Sequence, residues 1–385
     1  MTMHNGEIAI VGAAETTRIG TVPDMSAIEL HAEAALNALA DAGLHPDDVD
    51  GIASTLPSVE DVSHYLGLTP RWFDGTMVGG CTPLVQVRHA AAAISAGAAE
   101  VVLITHGESG RSRVGAPAWT RAPSSLQGQF ELPFGALAPH STFTLPALRF
   151  LHDRGMTVEA LAEPVVAQRE WAAMNSRAAR RTPIDIDGVM AAPMITYPFT
   201  RDMCCVVTDG GGALVMMSAQ RAADIEASDK VVYLHGSGEA MDSPLISQMP
   251  DPGSFQAFRN SSAAAFRSAG ISHRDVDHLM IYDAFAHVPL YGLEDLGFVG
   301  RGESAAFIQE GHTKPGGSLP MNTNGGGMAY THTGMYGMFA IQEAVRQLRG
   351  QAEAQVPGVT TSFVQGVGMF FCAAAALVLS NQRTF

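Results

Sequence analysis

Apolar and polar positions along the first hundred residues follow the periods of alternating strands and helices. The β-branched run at 7–11 predicts a buried strand, and apolar residues at helical spacing over 26–42 predict an amphipathic helix that stops at a glycine. A second strand follows the sequence DDVDG, and the segment 77–107 predicts another helix, which ends at Gly97, and then a buried strand. Helices that alternate with buried strands are typical of an α/β fold.

A short repeat links two distant parts of the chain. AGLHPDDVDGI at 42–52 matches AGISHRDVDHLMI at 269–281, with Ala-Gly and Asp-Val-Asp in register 227 residues apart. Both segments follow an Ala-rich helix and lead into a strand, so a duplicated α/β half is predicted, although a match this short also arises by chance. A chain of this length is expected to contain two halves, and we place them at 1–225 and 226–385.

Residues 108–200 differ from the rest of the chain because their periodicity is weak. This region is rich in Pro and Gly, contains one amphipathic segment at Thr157–Ala173, and carries the arginine-rich sequence SRAARR at 176–181. Long irregular regions of this kind commonly carry or cover a functional site. We therefore expect this region, which belongs to the first half, to cover a site rather than to form part of the sheet, and strand character returns at 201–218.

The stretch MNTNGGGMAYTHTGMYGM at 321–338 suggests a catalytic turn. Its glycine triplet at 325–327 permits positive φ and close backbone approach, and the tyrosine and histidine that follow can donate or move protons. A helix is predicted over 332–350, and by the repeat the turn that holds His332 is equivalent to the turn that holds Cys81. Glycine triplets also form ordinary tight turns, so the stretch alone does not establish a site.

Composition narrows the class of protein. The 385 residues are 46% hydrophobic and 16% charged, which describes a well-buried globular protein. A net charge of -15 without a basic run argues against nucleic-acid binding. No uncharged apolar stretch approaches the length of a membrane helix and no leader pattern opens the chain, so a soluble cytoplasmic protein is predicted.

Cysteines and histidines give no metal-ligand pattern. The four cysteines lack metal-ligand spacing, and two of them are adjacent, so neither a metal site nor a disulfide framework is predicted: Cys81, Cys204, Cys205 and Cys372. Most of the 14 histidines must be structural or exposed. Three of them are additional polar candidates: His106, His140 and His287.

Six motifs in a fixed order resemble the thiolase superfamily, and more closely its sterol-carrier-protein-type, or lipid-transfer-protein, branch. They are IAIVGAAETT, GGC with an Ala-rich helix and a VVLI strand, VTDGGGALV, YDAFA, NTNGGGMAYTHTG and QGVGMFFCAAAALVL. Each motif is weak alone, but together they span essentially the whole chain. The resemblance implies a five-layered αβαβα thiolase fold with two duplicated halves, usually as a homodimer. It also implies an acyl-CoA substrate, with coenzyme A as part of that substrate and no permanently bound cofactor.

The resemblance implies roles for three positions. Cys81 matches the family cysteine that an acyl-CoA acylates, but Pro83 and a shortened run to the helix-ending glycine depart from the pattern, so an inert buried thiol stays open. His332 matches the histidine of the Gly-His-Pro turn, which is expected to bind the thioester oxygen. The family's second cysteine, a proton shuttle, falls at about Val364, and valine cannot transfer a proton.

The pairing of YDAF with GGGMAYTH resembles thiolase-like aldolases that cleave steroid side-chain CoA thioesters. In those relatives two tyrosines are the proposed catalytic pair, and the resemblance assigns that role to Tyr282 and Tyr330 in one site. Ordinary packing of both phenols is the alternative. Asp283 is expected to orient its neighbours. The glycines assigned to the substrate pocket are Gly325, Gly326, Gly327, Gly366 and Gly368.

These residues predict retro-aldol cleavage of a bulky 3-hydroxyacyl-CoA, such as a sterol or bile-acid side chain. One alternative is an acyltransferase or thiolase that uses Cys81 as its nucleophile. A second is a non-catalytic or partner-dependent subunit, since members of this branch commonly pair with a small OB-fold, zinc-ribbon protein. The CoA phosphates lack an obvious lysine site, and Arg180 or Arg181 are candidates to hold them.

Overall fold

Buried β-branched and alanine-rich runs form the strands of a computed structural model, which describes residues 5–115, 121–137, 139–225 and 230–385. The strands are β1 Ile8–Glu15, β2 Gly51–Ser54, β3 Trp72–Asp74, β4 Val101–Ser109, β5 Met194–Thr196, β6 Phe199–Thr200, β7 Asp209–Ser218, β8 Val232–Met241, β9 His278–Ile281, β10 Thr361–Gly368 and β11 Ala373–Ser380. The α-helices are α1 Ala27–Ala42, α2 Val59–Tyr65, α3 Thr82–Ser95, α4 Leu126–Phe130, α5 Pro139–Arg154, α6 Ala162–Ala173, α7 Ile186–Ala191, α8 Ala219–Ala222, α9 Gln256–Ala269, α10 His287–Asp295, α11 Ser304–Gln309, α12 Gly326–Ala329 and α13 Gly337–Leu348.

Apart from β3 at one edge, the strands of the main sheet are arranged alike on the two sides of its middle. The order is β3-β2-β4-β7-β1-β8-β11-β10-β9, so β2-β4-β7-β1 on one side mirrors β9-β10-β11-β8 on the other. The pairing directions match as well, because β2 is parallel to β4 as β9 is to β10, and all the inner pairs are antiparallel. Only three residue pairs, from Ile8–Leu234 to Ile10–Val232, join the two groups of strands.

The sequence repeat has the same local geometry in both places. Helix α1 ends at Gly43 with φ 68° and ψ 29°, and α9 ends at Gly270 with φ 71° and ψ 21°. Glycine accepts this left-handed conformation without the steric cost that a Cβ imposes. After each helix the second Asp of Asp-Val-Asp, Asp50 or Asp277, accepts backbone N–H groups at the start of β4 or β10. The division of the chain at 225/226 stays a prediction, and residue 226 lies outside the described residues.

Helices lie on both faces of each group of strands. Helix α1 packs on β1, β4 and β7, whereas α9 packs on β8 and β11. Between the two groups lie α3 and α13, which contact each other and strands of both groups. Helix α13 is buried along nearly its whole length, as expected of a central helix. The layers therefore run helix, sheet, helix, sheet, helix.

Three predicted boundaries differ from the structure. The helix predicted from His332 begins at Gly337, because residues 330–336 form an irregular turn after the one-turn helix α12. Strand character predicted from 201 begins at Asp209, since residues 201–203 form a 3-10 turn. The first strand extends beyond the predicted 7–11 to Glu15, because its pairing with β7 continues past a bulge between Ile10 and Gly12.

The covering region carries several helices, and α6 ends at Ala173 as predicted. Its arginine-rich segment reaches the candidate catalytic turn, because the backbone N–H groups of Ala179 and Arg180 donate to the carbonyls of Tyr330 and Ala329. No helix among the described residues is long and apolar enough to cross a membrane.

Candidate active site

Tyr282 follows β9 directly and lies where the two central helices begin. Its backbone N–H donates to the carbonyl of Gln365 on β10 at 3.1 Å, which continues the parallel pairing one residue beyond the strand. Its ring lies against Gly80, where a Cβ atom would lie 2.5 Å from the Tyr282 hydroxyl oxygen. Any side chain at position 80 would displace the phenol, so the GGC motif makes room for Tyr282. Gly337, the first residue of α13, also packs closely against the Gly80 carbonyl.

The Tyr282 hydroxyl meets the side chain of His332. Its oxygen is 2.9 Å from His332 Nε2, and the two rings are nearly perpendicular with centroids 5.6 Å apart. Either atom can donate, depending on the histidine tautomer. The same hydroxyl is 3.3 Å from the carbonyl oxygen of Gly334 and accepts the backbone N–H of Tyr336 at 3.3 Å. Three contacts from one turn therefore hold the phenol in place.

Thr208 holds His332 from the other side. The hydroxyl of Thr208 accepts the backbone N–H of His332 at 3.0 Å, and the backbone N–H of Thr208 donates to the His332 carbonyl at 3.2 Å. Thr331 and Thr333, the two residues next to His332, both form side-chain hydrogen bonds. Thr331 shares a hydrogen bond with Thr208 at 2.7 Å, and Thr333 shares one with His106 Nε2 at 2.6 Å.

Burial sets the protonation of this pair. It raises the pKa of Tyr282 well above the ordinary value, and it lowers the pKa of His332 to about 4. At neutral pH the phenol is therefore protonated and the imidazole is neutral. Although Tyr282 is buried, His332 is partly exposed and Gly334 is exposed, so the pair opens to the surface at this turn.

Asp283 holds the glycine turn. Its carboxylate accepts the backbone N–H groups of Gly327 at 2.6 Å and Met328 at 3.0 Å, which are free donors at the start of α12. Burial raises its pKa to about 8, although these two donors oppose the shift. Gly325 and Gly326 have φ of 106° and 69°, so the turn requires glycine there. The predicted orienting role of Asp283 agrees with these contacts.

Tyr330 points away from Tyr282. Its hydroxyl donates to the Glu15 carboxylate at the end of β1, and Glu15 also pairs with Arg346 at 2.8 Å and Arg177 at 3.2 Å. Burial alone would raise the pKa of Glu15, but the two arginines and the Tyr330 hydroxyl lower it below its ordinary value. Burial and the Glu15 charge raise the pKa of Tyr330. The structure therefore does not bring Tyr330 into contact with the Tyr282–His332 pair.

Cys81 lies next to the same turn but is enclosed. It immediately precedes α3 and is fully buried, and a Cβ atom at Gly368 would lie 2.9 Å from its Sγ. Gly366 is just as close, since a Cβ atom there would lie 2.9 Å from the Cys81 Cβ. Burial raises the pKa of the thiol far above its usual range, which outweighs the effect of the helix start. Val364 is a buried residue of β10.

The remaining candidates lie apart from the pair or support it indirectly. His140 belongs to α5 of the covering region. His287 is buried among aromatic rings, including those of Phe143 and Phe285, and burial lowers its pKa to about 3. Arg180 donates to backbone carbonyls, including that of Met328 at 3.2 Å, whereas Arg181 is exposed. No group of three or more His, Cys, Asp or Glu side chains that could hold a metal occurs in the described residues.

Glu108 lies beside the same turn, although no sequence motif indicates it. It is the penultimate residue of β4 and its carboxylate lies against Gly334, where a Cβ atom would be 2.0 Å from Glu108 Oε2. Burial raises its pKa to about 7. Its position at the end of a buried strand, two residues after His106, is the feature of the sequence that could have indicated it, because functional residues of α/β proteins concentrate at strand ends.

The arrangement can be compared with known proteins. The family model described as "Thiolase C-terminal domain-like" matches residues 238–381. The "17-hydroxy-3-oxo-4-pregnene-20-carboxyl-CoA lyase" of Mycobacterium tuberculosis is 34% identical over 378 residues, which cover 93% of this chain and 95% of the lyase. The chain belongs to the thiolase superfamily. A "Steroid side-chain-cleaving aldolase" of Thermomonospora curvata is 31% identical over 405 residues and is covered completely, as is this chain.

A solved structure agrees over the same extent. The "Ltp2-ChsH2(DUF35) aldolase" superimposes with a TM-score of 0.89 at 30% identity, covering 97% of this chain and 98% of that chain. Together with the sheet order and the layers of helices, these matches confirm the predicted thiolase fold of the α/β class. They also confirm that this thiolase-superfamily enzyme resembles the steroid side-chain aldolases.

Proposed function

We propose that this enzyme cleaves a carbon-carbon bond of a bulky 3-hydroxyacyl-CoA by retro-aldol chemistry, with a steroid side chain as the substrate class. The observation that carries the proposal is the hydrogen bond between Tyr282 and His332, at 2.9 Å, beside a thiol that is enclosed and held neutral. The relatives named for lyase and aldolase activity support the same reaction class.

Retro-aldol cleavage needs two proton transfers and no covalent enzyme intermediate. A base takes the proton of the β-hydroxyl, the bond between the α and β carbons breaks, and its electron pair forms the thioester enolate. The β carbon leaves as a ketone or aldehyde. A proton then adds to the α carbon and gives the shorter acyl-CoA, so the protein ends with the protons it began with.

We assign the first proton transfer to Tyr282 acting with His332. A phenol with a raised pKa is a poor base alone, but a neutral imidazole at Nε2 can accept the phenol proton while the phenol oxygen takes the substrate proton. The lowered pKa of His332 keeps its ring neutral at ordinary pH, so one ring nitrogen carries no proton. Because Nε2 is engaged with Tyr282, we propose this role for His332 in preference to binding of the thioester oxygen.

Asp283 and the glycines are proposed to shape the substrate pocket. Asp283 anchors the turn through Gly327, while the N–H of Gly326 donates to Asn324 Oδ1 at 2.9 Å. Those N–H groups are therefore already paired, so the glycine triplet contributes its backbone conformation and its close packing against Asp283 and Ala172. Gly366 and Gly368 let the backbone of β10 pack directly against Cys81. Coenzyme A enters as part of the substrate, and we propose that no cofactor stays bound.

We also propose assembly with other subunits. The related aldolase structure contains Ltp2 with a second protein, ChsH2(DUF35). By analogy, this chain would act in the cytoplasm as a homodimer that binds a small OB-fold, zinc-ribbon partner. Mass measurement of the purified chain in solution, alone and mixed with a candidate OB-fold, zinc-ribbon protein, tests the assembly.

A panel of acyl-CoA thioesters tests the reaction. The enzyme is incubated separately with 3-hydroxyacyl-CoAs that carry bulky and small β substituents, and with 3-oxoacyl-CoAs plus free coenzyme A. Retro-aldol activity releases a ketone or aldehyde together with an acyl-CoA, without consuming coenzyme A. Thiolysis instead consumes coenzyme A and requires an acylated cysteine. Release of products only from the 3-oxoacyl-CoAs would refute the proposal.

A further inference from the structure

Glu108 and Tyr282 meet at the same residue of the catalytic turn. The Glu108 carboxylate lies against Gly334 so closely that a Cβ atom there would be 2.0 Å from Oε2, and the Tyr282 hydroxyl is 3.3 Å from the Gly334 carbonyl oxygen. Gly334 has a φ of 131°, which only glycine adopts readily. The backbone conformation therefore requires glycine at 334, and the missing side chain lets the carboxylate approach the turn.

The backbone around Glu108 is fixed on both sides. It pairs with Gly210 in the antiparallel ladder of β4 and β7. Beyond the strand, the Asp209 carboxylate accepts the backbone N–H groups of Arg111 and Ser112, each at 2.8 Å. The carboxylate of Glu108 is thus presented to the turn by rigid elements, which is the arrangement that proton transfer requires.

The Glu108 carboxylate has no hydrogen bond or ion pair in the part of the chain that the structure describes. Glu108 is only partly exposed, and a carboxyl group that gives up much of its hydration without a protein partner carries a free-energy cost. The titratable groups nearest in the fold are Tyr282, whose pKa is raised by burial first and also by the Glu108 charge, His332, which is bonded to Tyr282, and His106, two residues away on the same strand. Burial raises its pKa to about 7, so both of its protonation states are populated near neutral pH.

Three other titratable groups near the turn are hydrogen-bonded to other partners or enclosed. The Asp283 carboxyl group accepts hydrogen bonds from the N–H groups of Gly327 and Met328, and the Tyr330 hydroxyl donates to Glu15. Cys81 is enclosed.

We propose that Glu108 is the general acid that protonates the α carbon of the thioester enolate. This inference rests on the proposed retro-aldol function. The Glu108 carboxylic acid gives its proton to the α carbon, the enolate electron pair forms the new C–H bond, and the carboxylate remains. The proton that Tyr282 and His332 took from the β-hydroxyl then returns through Tyr282 to Glu108. The cycle needs no further reactant and leaves the enzyme unchanged.

Exchange of the α protons of propionyl-CoA in deuterated water tests this role separately from cleavage. The reverse of the proposed step makes the Glu108 carboxylate a base, so the wild-type enzyme incorporates deuterium. Glu108→Gln keeps the shape of the side chain but cannot carry the proton, and we expect exchange to fall by about 100-fold or more. The matched control is Glu100→Gln, at an exposed glutamate just before β4, which should exchange at the wild-type rate.

The pH dependence distinguishes proton transfer from a structural role. As pH rises through about 7, the pKa given to Glu108 by burial, wild-type cleavage should fall because the acid form is lost, while exchange should rise because the base form appears. In Glu108→Gln, neither the fall in cleavage nor the rise in exchange near pH 7 should occur. Glu108→Asp should restore part of the exchange. Thermal melting verifies that each variant is folded.

The two proposals fail in different ways. Exchange by Glu108→Gln within about threefold of wild type, with an unchanged pH profile, would overturn the role of Glu108. Absence of exchange in the wild-type enzyme would do the same. Wild-type exchange that depends on Glu108, without cleavage of any 3-hydroxyacyl-CoA, would refute the retro-aldol function but support Glu108 as an acid-base group at the α carbon.

Discussion

The hydroxyl of Tyr282 lies 2.9 Å from Nε2 of His332, although 49 residues separate them in the chain. One comes from the end of β9 and the other from the turn that leads to α13. The pair lies where the N-terminal ends of the two central helices meet, next to Gly80 and Gly337. This relationship places a protonated phenol against a neutral imidazole.

His332 should accept a proton during turnover, so His332→Gln should lower kcat by about 100-fold or more, because an amide cannot replace an imidazole base. The lowered pKa of about 4 keeps His332 neutral at ordinary pH, and protonation on acidification removes its base function. The acid limb of kcat/KM assigned to His332 should therefore lie near pH 4. His64→Gln, at an exposed histidine of α2, is the control, and an acid limb near the ordinary histidine pKa would contradict this assignment.

Tyr330→Phe should affect stability more than activity. The change removes a hydrogen bond to the buried Glu15 carboxylate, which should lower the free energy of unfolding by about 2 kcal/mol. Arg346 and Arg177 still pair with Glu15, so the fold should persist. Denaturant unfolding and the cleavage rate are measured on the same preparation. Full stability combined with a loss of turnover would place Tyr330 in the chemistry, as the resemblance to steroid aldolases implies.

Cys81 should remain unmodified when the enzyme is incubated with acyl-CoA thioesters. Burial raises the pKa of its thiol, and the close approach of Gly368 leaves little room for an acyl group at Sγ. Mass spectrometry of the intact protein, followed by peptide mapping, measures acylation. An acyl adduct located on Cys81 would support the alternative acyltransferase or thiolase reaction.

Glu108 should make the stability of the protein depend on pH. Its pKa is raised from 4.5 to about 7 in the folded protein, so the folded state holds the proton more tightly than the unfolded state. The contribution of Glu108 to the free energy of unfolding is then greatest below 4.5 and is lost as pH rises through about 7. Comparing the Tm of wild type and Glu108→Gln across this range isolates the contribution. Parallel Tm curves would contradict the raised pKa.

Sequence patterns predicted much of the scaffold because its signals are local. The left-handed glycines Gly43 and Gly270, with the Asp-Val-Asp segments after them, recur with the same geometry that the repeat indicates. Cys81 and His332 were predicted in equivalent turns, and both turns lie at the starts of the central helices. The glycine triplet and Asp283 were likewise assigned to one site, and their backbone contacts agree.

The partners of individual side chains could not be predicted in the same way. Tyr330 follows the glycine triplet in the sequence, and the YDAF motif assigns Tyr282 to the same site. Tyr330 nevertheless donates to Glu15, 315 residues away. Nothing in the local sequence distinguishes a phenol directed to one side of the turn from a phenol directed to the other. Glu108 was missed because a single glutamate at a strand end has no periodic or motif signal until Gly334 is folded against it.

Cleavage of a bulky 3-hydroxyacyl-CoA by Tyr282→Phe and Cys81→Ala, compared with wild type, tests the central claim most directly. Ketone or aldehyde release is followed together with the acyl-CoA product, and Tyr65→Phe, at an exposed tyrosine, serves as control. We expect Tyr282→Phe to lose about 100-fold or more of kcat, since it removes the proton-transferring hydroxyl, while Cys81→Ala and Tyr65→Phe keep most of theirs. An active Tyr282→Phe enzyme together with an inactive Cys81→Ala enzyme would contradict retro-aldol cleavage by the Tyr282–His332 pair.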